Sequence, residues 1–149
     1  MRFMVQVRAN EDTEAGRFPD NAHEMFEAMD RFNQGLIRDG WMLGGDGLQP
    51  SSKGARIRWA EGKARVIDGP FAEAKELIAG YWLIEAPSRE AVIKRFLEEC
   101  PPPADLRTGE IEIRPIYGPN DFPDDVITRE MLEREEKWAA ENVKPITPR

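Results

Sequence analysis

The chain has 149 residues, 40% of them hydrophobic and 33% charged, with a net charge of −7 and a pI near 4.9. That length is enough for one domain with a sizeable core, and the acidic balance, with no basic stripe, opposes nucleic acid and anionic membrane surfaces as partners. No apolar run is long enough to span a bilayer, the first eight residues are too short and polar for a signal peptide, and the single cysteine, Cys100, excludes an internal disulfide, so a cytoplasmic location is expected.

In chain order, Phe3, Val5 and Val7 alternate with Met4, Gln6 and Arg8, the period of a strand with one buried face. Asn10 to Pro19 is polar and aperiodic and reads as a loop. Asp20 or Asn21 then caps a helix running to about Asp39, with Met25, Met29, Phe32 and Leu36 on one stripe and Gly40 as its left-handed C-cap. Gly35 inside it costs about 1 kcal/mol relative to alanine and marks a close approach by a neighbour. The run Gly44-Gly45-Asp46-Gly47 lacks the Lys-Ser/Thr of a phosphate loop and the spacing of a dinucleotide fingerprint, so a bulged or bent strand is expected. Ala55 to Trp59 and Ala64 to Ile67 form a hairpin about Ala60-Glu61-Gly62-Lys63.

Asp68-Gly69-Pro70-Phe71 joins two turn signals, and Pro70 and Phe71 are positioned to open one helical turn whose free amides Asp68 accepts. A strand from Ile78 to Glu85 follows. Ser88 caps a second helix with Val92, Ile93, Phe96, Leu97 and Cys100 on its apolar side, stopped by Pro101-Pro102-Pro103. After a loop through Thr108, Glu110 to Tyr117 is a last strand, at an edge or bulge because Pro115 cannot donate to a ladder. Residues 119–149 form a separate charged tail: a turn-rich link over Asp121 to Asp125, a helix over Thr128 to Ala140, and a loose end. Few consecutive strands are separated by helices, so the class is α+β with an antiparallel sheet, both helices on one face and the other face in need of a partner.

Asp68-Gly69-Pro70-Phe71-Ala72-Glu73, Lys75-Glu76-Leu77-Ile78, Gly80, Asp46 to Ser51 and Glu110 to Arg114 together resemble the YCII-related family, in its branch marked by the Asp-Gly-Pro-Phe (DGPF) motif. The similarity spans residues 1 to about 117, giving a DGPF domain over residues 1–118. Threonine is common in the family where this chain has Ala74, and a Glu-Trp pair is not reproduced by Ile93-Lys94-Arg95-Phe96. The resemblance implies a ferredoxin-like, dimeric α+β barrel: a homodimer whose sheets meet face to face, with a pocket in each subunit between sheet and helices. Some relatives look like small-molecule enzymes; many members of the branch are linked to extracytoplasmic-function sigma factors without a defined chemistry. Two functions are thus open: a cofactor-free enzyme or binding protein for a small polar or aromatic molecule, and a non-catalytic accessory protein.

The candidate catalytic residues are Asp68 and His23. Asp68 at a strand end is a candidate acid–base or orienting group, or the cap of a tight turn. His23, the sole histidine, lies in the first turn of the first helix; paired with Asp68 it would make a general base, as the family resemblance implies, and otherwise it is a surface histidine. Glu73, Lys75, Glu76 and Arg114 are candidate substrate ligands, with ion pairing to one another, to Glu112 or to Arg56 and Arg58 as the structural alternative. One histidine and one cysteine cannot furnish a zinc set, and the carboxylates follow no calcium-loop spacing. Haem occurs among proteins of related fold, but His23 at a helix start is a poor ligand. No cofactor or metal is expected, and Cys100 reads as a buried, inert thiol. Trp41, Trp59, Tyr81 and Trp82 read as core and interface.

Overall fold

The computed structural model describes residues 1–102, 109–123 and 126–147, and the backbone alone at Lys75. Four strands, β1 (Arg2–Arg8), β2 (Met42–Gly47), β5 (Ile78–Glu85) and β6 (Ile111–Pro115), form one antiparallel sheet in the order β2-β5-β1-β6. Helix α2 (Ala22–Arg38) links β1 to β2, and α3 (Arg89–Glu99) links β5 to β6. This is the ferredoxin-like α+β arrangement. β3 (Ala55–Ala60) and β4 (Lys63–Asp68) pair only with each other, as a second, two-stranded sheet.

The pleat of β1 sends Phe3 and Val5 to the helix side, where they are fully buried with Leu36, Ile84 and Val92. Phe32 of α2, Trp82 of β5 and Phe96 of α3 meet edge to face, with centroids 5.0 to 6.0 Å apart. The Trp82 indole N–H donates to Asn33 Oδ1 at 2.8 Å, so the one polar atom of that ring is satisfied. The close approach expected at Gly35 is made by Arg95: a Cβ there would lie 2.9 Å from its Nη2. Arg95 pairs with Asp39 at 2.6 Å and Glu99 at 3.0 Å, tying α3 to the end of α2.

Several local readings change. Asn10 to Glu14 is not loop: Asn10 and Thr13 make a reciprocal capping box for a one-turn helix α1 (Glu11–Glu14). Asn21 sits before α2 without a side-chain cap bond. Leu97 is exposed, because α3 turns only Val92 and Phe96 fully into the core. The helical turn expected at Pro70 and Phe71 lies instead at Ala74–Glu76, as a 3-10 turn, and the Gly69–Pro70 peptide is cis. Other expectations hold. Gly40 has φ +71°, the ladder between β2 and β5 is irregular at Met42/Gly44, Ser88 accepts from the Ala91 N–H, and β6 with Pro115 is an edge strand. Pro103, the loop to Thr108, and Asp124 and Asp125 of the link lie outside the described residues.

The tail helix α4 (Arg129–Asn142), capped by Thr128, stands over the sheet face opposite α2 and α3. The N–H of Ile146 beyond it donates to the Met42 carbonyl at 2.7 Å, anchoring the tail to an edge strand. No described helix is long and apolar enough to cross a membrane.

Candidate functional site

The outer face of the sheet carries the other half of the β1 alternation. Met4 lies between Leu83 on β5 and Arg114 on β6, Arg2 lies opposite Glu85, and Gln6 lies between Tyr81 and Glu112. Between this face and α4 is an open cleft of about 760 Å³, within the size range of small-molecule sites. Met4, Leu43, Leu132 and Trp138 supply apolar wall, while Arg2 and Arg114 on one hand and Glu85, Glu135 and Glu136 on the other supply charge. The expected position, between the sheet and the α2 and α3 helices, is instead filled by the aromatic core, whose interlocked rings leave the outer face to bear the cleft.

Arg114 is the one residue of the sequence-predicted set that lines this cleft. Its Nε is 3.8 Å from Glu112 Oε1, so the expected ion pair with Glu112 is present, at a distance too long for a hydrogen bond. A guanidinium beside apolar wall whose N–H groups are not taken by short hydrogen bonds is suited to a carboxylate held through two parallel hydrogen bonds.

The Asp68 turn is built differently. Gly69 N–H donates to the Gly54 carbonyl at 3.0 Å, and Phe71 N–H donates to Ser51 Oγ at 3.1 Å. Ser51 in turn gives its hydroxyl and its backbone N–H to the Glu14 carboxylate, the latter at 3.2 Å. Arg56 lies 3.9 Å above the Phe71 ring. The turn therefore fastens the base of the β3–β4 hairpin to α1 and to the 3-10 turn Ser51–Lys53. The Asp68 carboxylate is exposed and makes no hydrogen bond or ion pair among the described residues, contrary to the expected capping role. The amide it was expected to satisfy, that of Phe71, is taken by Ser51.

His23 is also exposed, at 88% of its side chain, and pairs with Glu27 one turn on at 3.3 Å rather than with Asp68. Glu73 precedes the 3-10 turn and Glu76 is its last residue, both exposed and without ion pairs among the described residues; the Lys75 side chain lies outside them. Neither Asp68 nor His23 lines the cleft. Sequence reasoning missed Glu14 and Ser51, though the Asn10-x-x-Thr13 spacing is a signal for the helix that carries Glu14. Among the described residues no group of three or more His, Cys, Asp or Glu could hold a metal ion.

The model of the YCII-related domain matches residues 1–120. The chain belongs to the YCII-related domain family. A protein of Rhizobium meliloti (strain 1021), named only as uncharacterised, is 36% identical over 80 residues, which is 51% of this chain and 61% of that relative. The chain thus spans less than two thirds of that relative's length. In this YCII-related protein the family match ends at residue 120, so α4, which roofs the cleft, comes from outside it.

Cys100 closes α3, and burial pushes its thiol from 9.0 up to about 11. The reactive thiolate is then ~1 in 1,000 of the population at pH 8. Labelling with a disulfide reagent at pH 8 is expected to run about a hundredfold slower in the native protein than in the urea-unfolded chain. Equal rates would show the thiol to be open to solvent.

Proposed function

We propose that this YCII-related protein binds a small amphipathic carboxylic acid in the cleft beneath α4, without a cofactor. The observation that carries this reading is the Arg114 guanidinium on an apolar-walled cleft, exposed and held only by a long, 3.8 Å ion pair to Glu112. Arg114 holds the carboxylate, and Met4, Leu43 and Trp138 cover the apolar or aromatic body. Catalysis by Asp68 and His23 has less support, since the two carry separate surroundings and neither meets the cleft. In this reading the DGPF motif is a structural junction and the tail completes the site.

The test is calorimetric titration and thermal shift with a panel of aromatic and aliphatic carboxylates. An acid that binds wild type should lose about 10- to 100-fold in affinity with Arg114→Ala, the range for a hydrogen bond to a charged group. Asp68→Asn should bind as wild type. An acid that stabilises wild type and Arg114→Ala equally removes Arg114 from the site, and loss of binding in Asp68→Asn alone moves the site to the turn.

A further inference from the structure

The floor and the roof of the cleft differ in charge. On the floor, Arg2 of β1 and Arg114 of β6 each have a carboxylate nearby: Glu85 lies opposite Arg2 in the strand register, and Glu112 is 3.8 Å from Arg114. The roof has no such balance. Leu132, Ala139 and Val143 line the cleft at the spacing of one helical stripe, and Glu135 and Glu136 interrupt that stripe. The positions three and four residues from these two glutamates hold Met131, Leu132, Glu133, Trp138, Ala139 and Ala140, none of them basic. Glu130, by contrast, has Arg134 one turn on at 3.8 Å. Among the described residues neither Glu135 nor Glu136 makes an ion pair, with the floor arginines or with any other group.

The lining therefore sets two cations against three carboxylates, with the negative excess on α4. A plain carboxylate anion adds to that excess. An acid whose far end carries a cationic nitrogen gives each wall the charge it lacks: its carboxylate accepts from the arginine floor, and its N–H groups donate to Glu135 and Glu136. Met4 and Leu43 present apolar surface on the floor, which a carbon body joining the two ends would cover.

We propose that the ligand of the cleft is an amino carboxylic acid with its amine and its carboxylate at opposite ends of an apolar body, and that Glu135 and Glu136 select it over the plain acid. The inference rests on the reading of Arg114 as the carboxylate ligand and adds the second anchor. Both glutamates lie beyond residue 120, where the family match ends, so this selectivity is a property of the tail and not of the domain it covers.

The test is calorimetric titration of the full chain with two matched pairs of probes: ε-aminohexanoate against hexanoate, and para-(aminomethyl)benzoate against para-toluate. Within a pair that binds, the amino acid should bind about tenfold or more tighter, the range for a hydrogen bond to a charged group. Glu135→Gln with Glu136→Gln keeps the helix propensity of α4 and should remove that advantage, leaving the plain acid bound at least as well as by wild type. Arg114→Ala should weaken both members of a pair. A plain acid that binds as tightly as its amino partner overturns the proposal while the carboxylate reading stands, as does an amino acid whose advantage survives the double glutamine change. An Arg114-dependent acid from the wider panel, with none of the four probes bound, also overturns this proposal alone. Failure of every acid to bind removes both readings together.

Discussion

Gly69→Ala is expected to lower the unfolding free energy by about 3 kcal/mol, at the upper end of overpacking substitutions. A Cβ at this position runs into the backbone carbonyl of Ser51, with the Ser51 carbonyl carbon 2.6 Å away. Relief requires the 3-10 turn Ser51–Lys53 to retreat. That same turn holds the Ser51 hydroxyl against the Phe71 amide and the Glu14 carboxylate, so the displacement removes hydrogen bonds as well as creating a clash. The Gly69 amide bond to the Gly54 carbonyl is strained in the same movement. Asp68→Asn next door should change stability by no more than about 0.5 kcal/mol, because its carboxylate is exposed and unpartnered among the described residues. Thermal and urea unfolding of both variants decide the matter. The glycine variant should melt about 10 °C lower, at the shift per kcal/mol usual for this chain length. The opposite ranking, a tolerant Gly69 and a critical Asp68, would make the carboxylate and not the close approach the reason for the turn.

Trp82→Ala is expected to cost about 4 kcal/mol, a large part of the stability of any single domain. The indole is 6% exposed and meets Phe32 and Phe96 edge to face, so its removal leaves a cavity bordered by two rings that have lost their partner. It also strips Asn33 Oδ1 of its donor. Trp82→Phe separates the two contributions, since it keeps much of the ring packing while losing the N–H. Its cost should be about 1 to 2 kcal/mol, the penalty of an unpaired polar atom plus a smaller void. Chemical denaturation with an unchanged slope against denaturant would confirm that the folded state is being weakened. A cost for Trp82→Ala below about 1 kcal/mol would mean that the three rings do not form the centre of the core.

Features of this protein set by neighbours in the chain were legible without coordinates. The alternation of Phe3, Val5 and Val7, the Ser88 cap, the Gly40 C-cap and the Glu61-Gly62 hairpin turn depend on spans of two to four residues. Pro115 at an edge likewise follows from one missing N–H. Leu97 failed for a related reason: periodicity marks an apolar side of α3, but the angle at which the helix meets the sheet decides how wide a stripe is covered.

The site was less legible, because its parts come from distant segments. Arg114 could be nominated from its charge and strand position, but its role in a cleft depends on α4 returning over the outer sheet face. Asp68 and His23 drew attention as titratable groups, yet nothing local says whether two such side chains converge, and their pairing did not arise. Conversely Glu14 and Ser51 carry no chemical flag in the sequence; they matter because folding sets a carboxylate, a hydroxyl and the Phe71 amide in one chain of hydrogen bonds. The sequence by itself determined the strands, most helix ends and the α+β class with an antiparallel sheet, since these follow from side-chain period and backbone preference, while the ferredoxin-like arrangement was implied by the family resemblance. Only the tertiary structure decided which face holds the cleft, which turn residues bear load and which charges stay unpaired, since these depend on contacts between residues far apart in the chain.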